Sequence, residues 1–246
     1  SVIPMRKEPA HRSEMVSQLL FGEYVEVLEK DNDFWQVKGL YDGYEGWVQA
    51  NQLTEIDQVL ETDLYIAHWT GKVAINDHYK NLPFGSPIYA AEGSILIGKH
   101  RLTYDLNPAA IWQSRTESLN AATLLKAYSM FLDTPYLWGG KSVFGIDCSG
   151  FAQQVFKLFG IKLLRDAYQQ AEQGTAVNGL AQVQPGDLAF FNNEAGRITH
   201  VGILLRSDQI VHAAGKVRID LIDDDGITNV DTGKRTHQLY SIRRIL

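Results

Sequence analysis

The apolar residues of this 246-residue chain change their spacing once, near Ser118, and that change limits the folds open to it. Before it, residues 24–29 and 34–38 carry apolar side chains at every second position, and Gly46-Trp47-Val48 follows the turn pair Asp42-Gly43. Period-two runs broken by turn residues mark antiparallel β structure. Residues 19–53 therefore read as a small β-barrel. In 56–115 the signal thins: 64–67 and 94–98 read as strands, with 81–87 as a loop. After Ser118, Leu119, Ala122, Leu125, Ala127, Met130 and Phe131 recur at helical spacing until Pro135. A second helix follows Gly139-Gly140, with Asp147 or Ser149 as N-cap and Phe151, Val155, Phe156 and Phe159 on one stripe before Gly160. Segments 187–191, 199–205 and 209–213 then return to strand patterning. Helices followed by strands give an α+β class.

This length favours two or three modules. The net charge of −6 removes nucleic-acid binders and polybasic membrane-surface proteins, which need clustered Lys and Arg. No apolar stretch reaches the roughly 18 residues a membrane span needs, so no membrane insertion is expected. The start, Ser1 to Arg6, lacks a basic region followed by an apolar one. A cytoplasmic monomer is the expectation, periplasmic or secreted if a leader once preceded Ser1. The single cysteine, Cys148, excludes an internal disulfide framework and any multi-cysteine zinc site. A lone thiol is either inert core or a nucleophile.

Cys148 falls in the first turn of the second helix, where free backbone N–H groups lower a thiol's pKa and can hold an oxyanion. Its neighbours sharpen that reading: Trp138-Gly139-Gly140, then Asp147-Cys148-Ser149-Gly150-Phe151, Pro185-Gly186-Asp187-Leu188 and Thr199-His200-Val201-Gly202-Ile203. Together they resemble the NlpC/P60 cysteine peptidases, a papain-like group of bacterial cell-wall enzymes, over residues 116–246. Residues 1–55 resemble the bacterial SH3 domain, and 56–115 are expected to form a second, degenerate one.

The resemblance implies a catalytic set of Cys148, His200 and His212. His200 would take the thiol proton and return it to the leaving amine, while His212 orients the imidazole. His11, His68, His78, His100 and His237 read as surface or satisfied residues. The separation of 12 between His200 and His212 gives a check. A three-residue loop at 206–208 would set His212 opposite Gly202, diagonal to His200 on one sheet face. A two-residue loop would put the imidazoles on opposite faces. A zinc site built from Cys148 and the two histidines matches no common spacing, and no metal or cofactor is expected.

For this family the resemblance implies cleavage between γ-D-glutamate and a diamino acid in murein stem peptides, here those with a free N-terminal L-Ala, as in L-Ala-γ-D-Glu-diamino acid. Such an ammonium needs carboxylate partners, and Glu8 and Asp147 are the candidates. Tyr44 would donate its hydroxyl or stack on the peptide. Ser149 would bond the peptide backbone, and the loop at Arg165 and Asp166 would line the other side. The alternatives are a catalytically idle wall-binding protein and an acyltransferase or amidase on the same scaffold.

Overall fold

The computed structural model describes residues 2–76 and 78–245. The chain divides into two compact units, residues 1–117 with 138–143, and residues 118–137 with 144–246.

In the first unit, β1 (Val2–Arg6), β2 (Met15–Leu20), β3 (Val25–Asp31), β4 (Phe34–Gly39) and β5 (Glu45–Gln49) form one antiparallel sheet in the order β2-β1-β5-β4-β3. Met5, Leu19, Val37 and Val48 fill its core. The β3–β4 turn needs a left-handed residue, and Asn32 supplies it at φ +46°. β3 departs from the alternating expectation: a bulge between Val27 and Glu29 leaves Val27 and Leu28 exposed on this edge strand.

Residues 64–113 add β6 (Leu64–Ile66), β7 (Thr70–Ile75), β8 (His78–Pro83), β9 (Pro87–Ile88), β10 (Glu92–Ile97), β11 (His100–Asp105) and β12 (Ile111–Gln113). They form sheets β10-β11-β7-β8 and β12-β6-β9 around Ile66, Val73, Leu82, Ile88, Leu102 and Tyr104. The expected 81–87 loop is shorter than read, because Asn81, Leu82 and Pro83 continue β8 and pair with β7. β13 (Lys141–Ser142) lies in the segment 138–143, which sequence reasoning assigned to the C-terminal domain. There Trp138 Nε1 donates to Glu14 Oε1 at 2.8 Å, the Lys141 N–H donates to Gln18 Oε1 at 2.8 Å, and the buried Lys141 ammonium lies 3.8 Å from both Glu23 and Asp42.

The second unit opens with α1 (Ala121–Ser129), started by an Asn120–Thr123 capping box. Its buried face is Leu124, Ala127 and Tyr128, continued by Phe131, whereas the Leu125 of the expected stripe is exposed. After β14 (Gly145–Ile146) comes α2 (Cys148–Lys157), and the Asp147 carboxylate caps it by accepting the Gly150 N–H at 2.7 Å. All ten residues of α2 are buried. The expected apolar stripe is present, but the unit closes around the other side as well. α2 packs against α1, the short α3 (Ala167–Gln170) and two strands of the sheet that follows.

That sheet contains β15 (Thr175–Ala176), β16 (Leu188–Asn192), β17 (Ile198–Arg206), β18 (Gln209–Ala214), β19 (Lys216–Asp223), β20 (Gly226–Thr228) and β21 (Arg235–Arg244). The order is β15-β21-β16-β17-β18-β19-β20, and β20 also pairs with β21. Six strands thereby close into a barrel, whose core includes Ala189, Phe191, Leu204, Ile210, Ile222 and Ile227. Closure pairs both sides of the six barrel strands, leaving β15 as a two-residue edge on β21, and gives the strand beside α2 a fixed position.

Candidate active site

Cys148 opens α2 and is buried, 6% exposed, with β17 packed against its helix. The thiol receives the backbone N–H groups of Val201 and Ser149. Val201 follows His200 along β17, so the thiol is bonded to the strand one residue from the first candidate histidine. The expectation of an acidic thiol is reversed. Burial, then the Asp147 carboxylate, push Cys148 up to about 12, and the two N–H groups and Arg165 offset only part of that. His200 moves the opposite way: burial, then His212 and His237, hold its pKa well below the ordinary value. Both shifts favour the uncharged forms, thiol and imidazole.

His200 Nε2 lies 2.8 Å from His212 Nδ1, so the two candidate imidazoles meet as the spacing required. The route differs from the expectation. The turn is the two-residue loop Ser207-Asp208, with Arg206 opposite Gln209, which taken alone would split the histidines between faces. A bulge between Leu204 and Arg206 absorbs Leu205 as an extra residue and restores the register, leaving Gly202 opposite His212. Gly202 is required there: a Cβ would lie 3.0 Å from His212 Cβ and 2.6 Å from Ile210 Cδ1.

Four further residues reach this cluster that the sequence reading left out of the site. His212 Nε2 lies 3.0 Å from Asp220 Oδ2, and Asp220 also receives Arg218 Nε at 2.8 Å, Arg218 Nη2 at 2.9 Å and the Val230 N–H at 3.0 Å. Burial alone would raise the Asp220 carboxyl, but the bonds from His212, Arg218 and Val230 outweigh it and hold it well below the carboxylate range. His237, read as a surface or satisfied residue, instead stacks on His200 with ring centroids 4.1 Å apart at 24°. Burial, then His212, lower its pKa to about 4, against an opposing pull from Asp220. Tyr136 lies close enough to Cys148 and Asp147 for both to raise its hydroxyl pKa, after burial itself. Its hydroxyl is a neutral donor near the thiol.

Asp147 and Arg165 form a buried pair, with Nη2 to Oδ2 at 2.6 Å and Nη1 to Oδ1 at 3.1 Å, and Arg165 Nη1 also donates to Ser149 Oγ at 2.9 Å. Arg165 is thus turned inward at 1% exposure instead of lining an open loop. An incoming ammonium would find Asp147 already charge-balanced, and would be an additional partner to it. Asp166 starts α3, its N–H bonded to Gln169 Oε1; residues 167–170 form one helical turn. Glu8 and Tyr44 belong to the first unit. Glu8 is exposed in the β1–β2 connection, its N–H bonded to Ser13 Oγ, and the half-buried Tyr44 packs against the first barrel's core.

The ring nitrogens of His200, His212 and His237 lie within 4.8 Å of one another. Two of them are committed to each other, and the remaining nitrogen of His212 to Asp220. Nearly parallel stacking keeps the in-plane lone pairs of His237 and His200 from converging, so the trio is not arranged as a preformed metal centre.

A buried thiol at a helix start, packed against two paired barrel strands that each carry one histidine of an imidazole pair, is the arrangement of a cysteine peptidase. Residues 133–236 match the NlpC/P60 family, and residues 5–53 match the bacterial dipeptidyl-peptidase SH3 domain. The chain is 30% identical over 216 residues to the gamma-D-glutamyl-L-lysine dipeptidyl-peptidase of Bacillus subtilis, covering 80% of this chain and 71% of that one. It is 28% identical over 228 residues to the protein of the same name from Bacillus cereus, covering 82% and 68%. The crystal structure of an NlpC/P60 family protein from Bacillus cereus superposes with a TM-score of 0.78 at 26% identity, over 94% of this chain and 82% of that one. The chain belongs to the NlpC/P60 family.

Proposed function

We propose that the protein hydrolyses the γ-D-glutamyl–L-diamino acid bond of murein stem peptides, with Cys148 as nucleophile, His200 as general base and then acid, and His212 as the residue that orients it. The observation that carries this is the pairing of a helix-start thiol, bonded by the Val201 N–H, with the His200–His212 contact at 2.8 Å. The names of the two Bacillus relatives support the bond class and favour lysine as the diamino acid.

In this mechanism substrate binding displaces water from the thiol and aligns the scissile carbonyl with it. His200 takes the thiol proton as sulfur attacks the carbonyl carbon. The oxyanion that forms is held by the Cys148 N–H at the start of α2 and by the Tyr136 hydroxyl. His200 then donates its proton to the leaving amine, and an acyl-enzyme remains. Water, deprotonated by the same imidazole, releases the γ-D-glutamyl product and regenerates the thiol.

The domain reading belongs to the same proposal: an SH3-like domain at 1–55, a second, degenerate one at 56–115, and a papain-like catalytic domain from 116. So does the preference for a free N-terminal L-Ala, with Glu8, Tyr44, Asp147 and Ser149 as the candidates for holding the peptide. Incubation with L-Ala-γ-D-Glu-L-Lys and its diaminopimelate counterpart, each with and without an N-acetyl group, tests both levels by mass spectrometry. Release of the diamino acid, absent in Cys148→Ala, is the expected result. Hydrolysis that persists in Cys148→Ala overturns the assignment, and equal rates on acetylated peptide overturn the free-amine preference.

A further inference from the structure

We infer that Asp220 is a positioning residue that sets which nitrogen of each histidine carries its proton; this rests on the reading of Cys148 and His200 above. Asp220 is 1% exposed and its two oxygens face four donor positions. Oδ2 meets His212 Nε2 and Arg218 Nε, and Oδ1 meets Arg218 Nη2 and the Val230 N–H. A carboxylate only accepts, so His212 carries a proton on Nε2 and, as the neutral ring, presents a lone pair at Nδ1. That lone pair lies 2.8 Å from His200 Nε2, which must then be the protonated nitrogen. His200 is left with a lone pair on Nδ1, which has no hydrogen-bond partner among the described residues and is the one a general base needs for the thiol proton. Arg218 balances the carboxylate and is itself tied to Asp231 Oδ2 at 2.9 Å, which anchors the chain from the loop after β20. Two imidazoles and one guanidinium are thus ordered by one buried carboxylate.

Substitution by asparagine has an unequal consequence at the two oxygen positions. An amide NH2 in place of Oδ1 would face the Arg218 and Val230 donors, neither of which can become an acceptor. In place of Oδ2 it would face Arg218 Nε and His212 Nε2, and His212 can yield by shifting its proton to Nδ1. That shift forces the His200 proton onto Nδ1, where the ring can no longer accept.

Nitrogen-15 NMR of histidine-labelled, full-length protein reads these positions directly. In the wild type His200 and His212 should both be protonated at Nε2, and in Asp220→Asn both at Nδ1. The kcat of Asp220→Asn should fall by about 10³–10⁴-fold, as wrong-tautomer triads do, with KM changed less than about twofold because no substrate contact is lost. A wild-type His212 protonated at Nδ1 overturns the inference, and so does a folded Asp220→Asn with unchanged tautomers or unchanged kcat. If Asp220→Asn does not fold, the wild-type spectrum decides alone. The outcomes separate from those of the functional reading: peptidase activity surviving in Cys148→Ala, with the wild-type tautomers as expected, would sink the catalytic roles and leave the proton order standing.

Discussion

Two opposing influences meet at Cys148. The start of α2 and the N–H groups of Val201 and Ser149 favour thiolate, whereas burial and the neighbouring Asp147 favour the thiol and prevail. Iodoacetamide alkylation of the resting protein should therefore be slow near neutral pH and inflect well above the ordinary thiol value of about 8.5. In Asp147→Asn the inflection should move down, because the second-largest cause of the shift is gone while Arg165 stays. A wild-type inflection below about 7 would show a resting ion pair instead. His237 carries a second pH signature. Its folded pKa, about 4, lies below the unfolded value of about 6.5, so the unfolded chain binds more protons between those limits. Its stabilising contribution is complete above about pH 6.5 and is lost as pH falls toward 4. Melting temperature followed across that window should decline less in His237→Phe, which keeps the stacked ring without the proton. Identical acid limbs in the two proteins would remove His237 from the account, although the lowered His200 adds a parallel slope in both.

At the level of the element, the β17–β18 hairpin decides whether two histidines can touch. Gly202 faces His212 with room for hydrogen only, and a Cβ at 3.0 Å from His212 Cβ has no flexible chain end to displace on that side. Gly202→Ala should cost about 1–3 kcal/mol by overpacking and lower kcat by pushing His212 away from His200. A Gly202→Ala protein with wild-type kcat would show that the pair tolerates displacement. The bulge at Leu205 makes a different forecast. Its removal lies on the turn side of the histidines and leaves Gly202 opposite His212, so deletion of Leu205 should regularise the hairpin and keep most activity. Abolished activity in a folded deletion variant would mean that the bulge does more than set register.

Across the whole molecule, the sequence neighbours of Cys148 are divided between two compact units. Residues 138–143 belong with the N-terminal unit, held there by Trp138 to Glu14 and by Lys141 among Glu23 and Asp42. The Lys141 side chain is 3% exposed; its replacement leaves two buried carboxylates without their shared cation. Lys141→Met should destabilise the N-terminal unit on the order of 3 kcal/mol, read by chemical denaturation. A change within error would mark the cluster as electrostatically neutral in effect. The free-amine preference is tested at the same scale. Glu8→Gln should narrow the ratio of kcat/KM between free and acetylated tripeptides, and an unchanged ratio removes Glu8 from recognition.

What the sequence determined by itself is what local spacing and residue chemistry can encode. Strand patterning located β3–β5, β16, β17 and β18, Asp147 or Ser149 bounded the start of α2, and the family resemblance singled out Cys148, His200 and His212 as the candidate reacting groups. Those signals live within a few residues of one another, where backbone periodicity is read directly. Asp220 was hidden by the same logic. On β19 the regular apolar alternation runs Val217, Ile219, Leu221, yet Leu221 is 47% exposed and Asp220, in the register of Ile210, is 1% exposed. His237 reaches His200 only because β21 closes the barrel against β16 and β20. The inward turn of Arg165 and the reversed thiol and imidazole shifts likewise come from residues far apart in sequence. The tertiary structure alone decided them, because desolvation and charge pairing depend on what surrounds a group in space, and spacing along the chain carries no record of that.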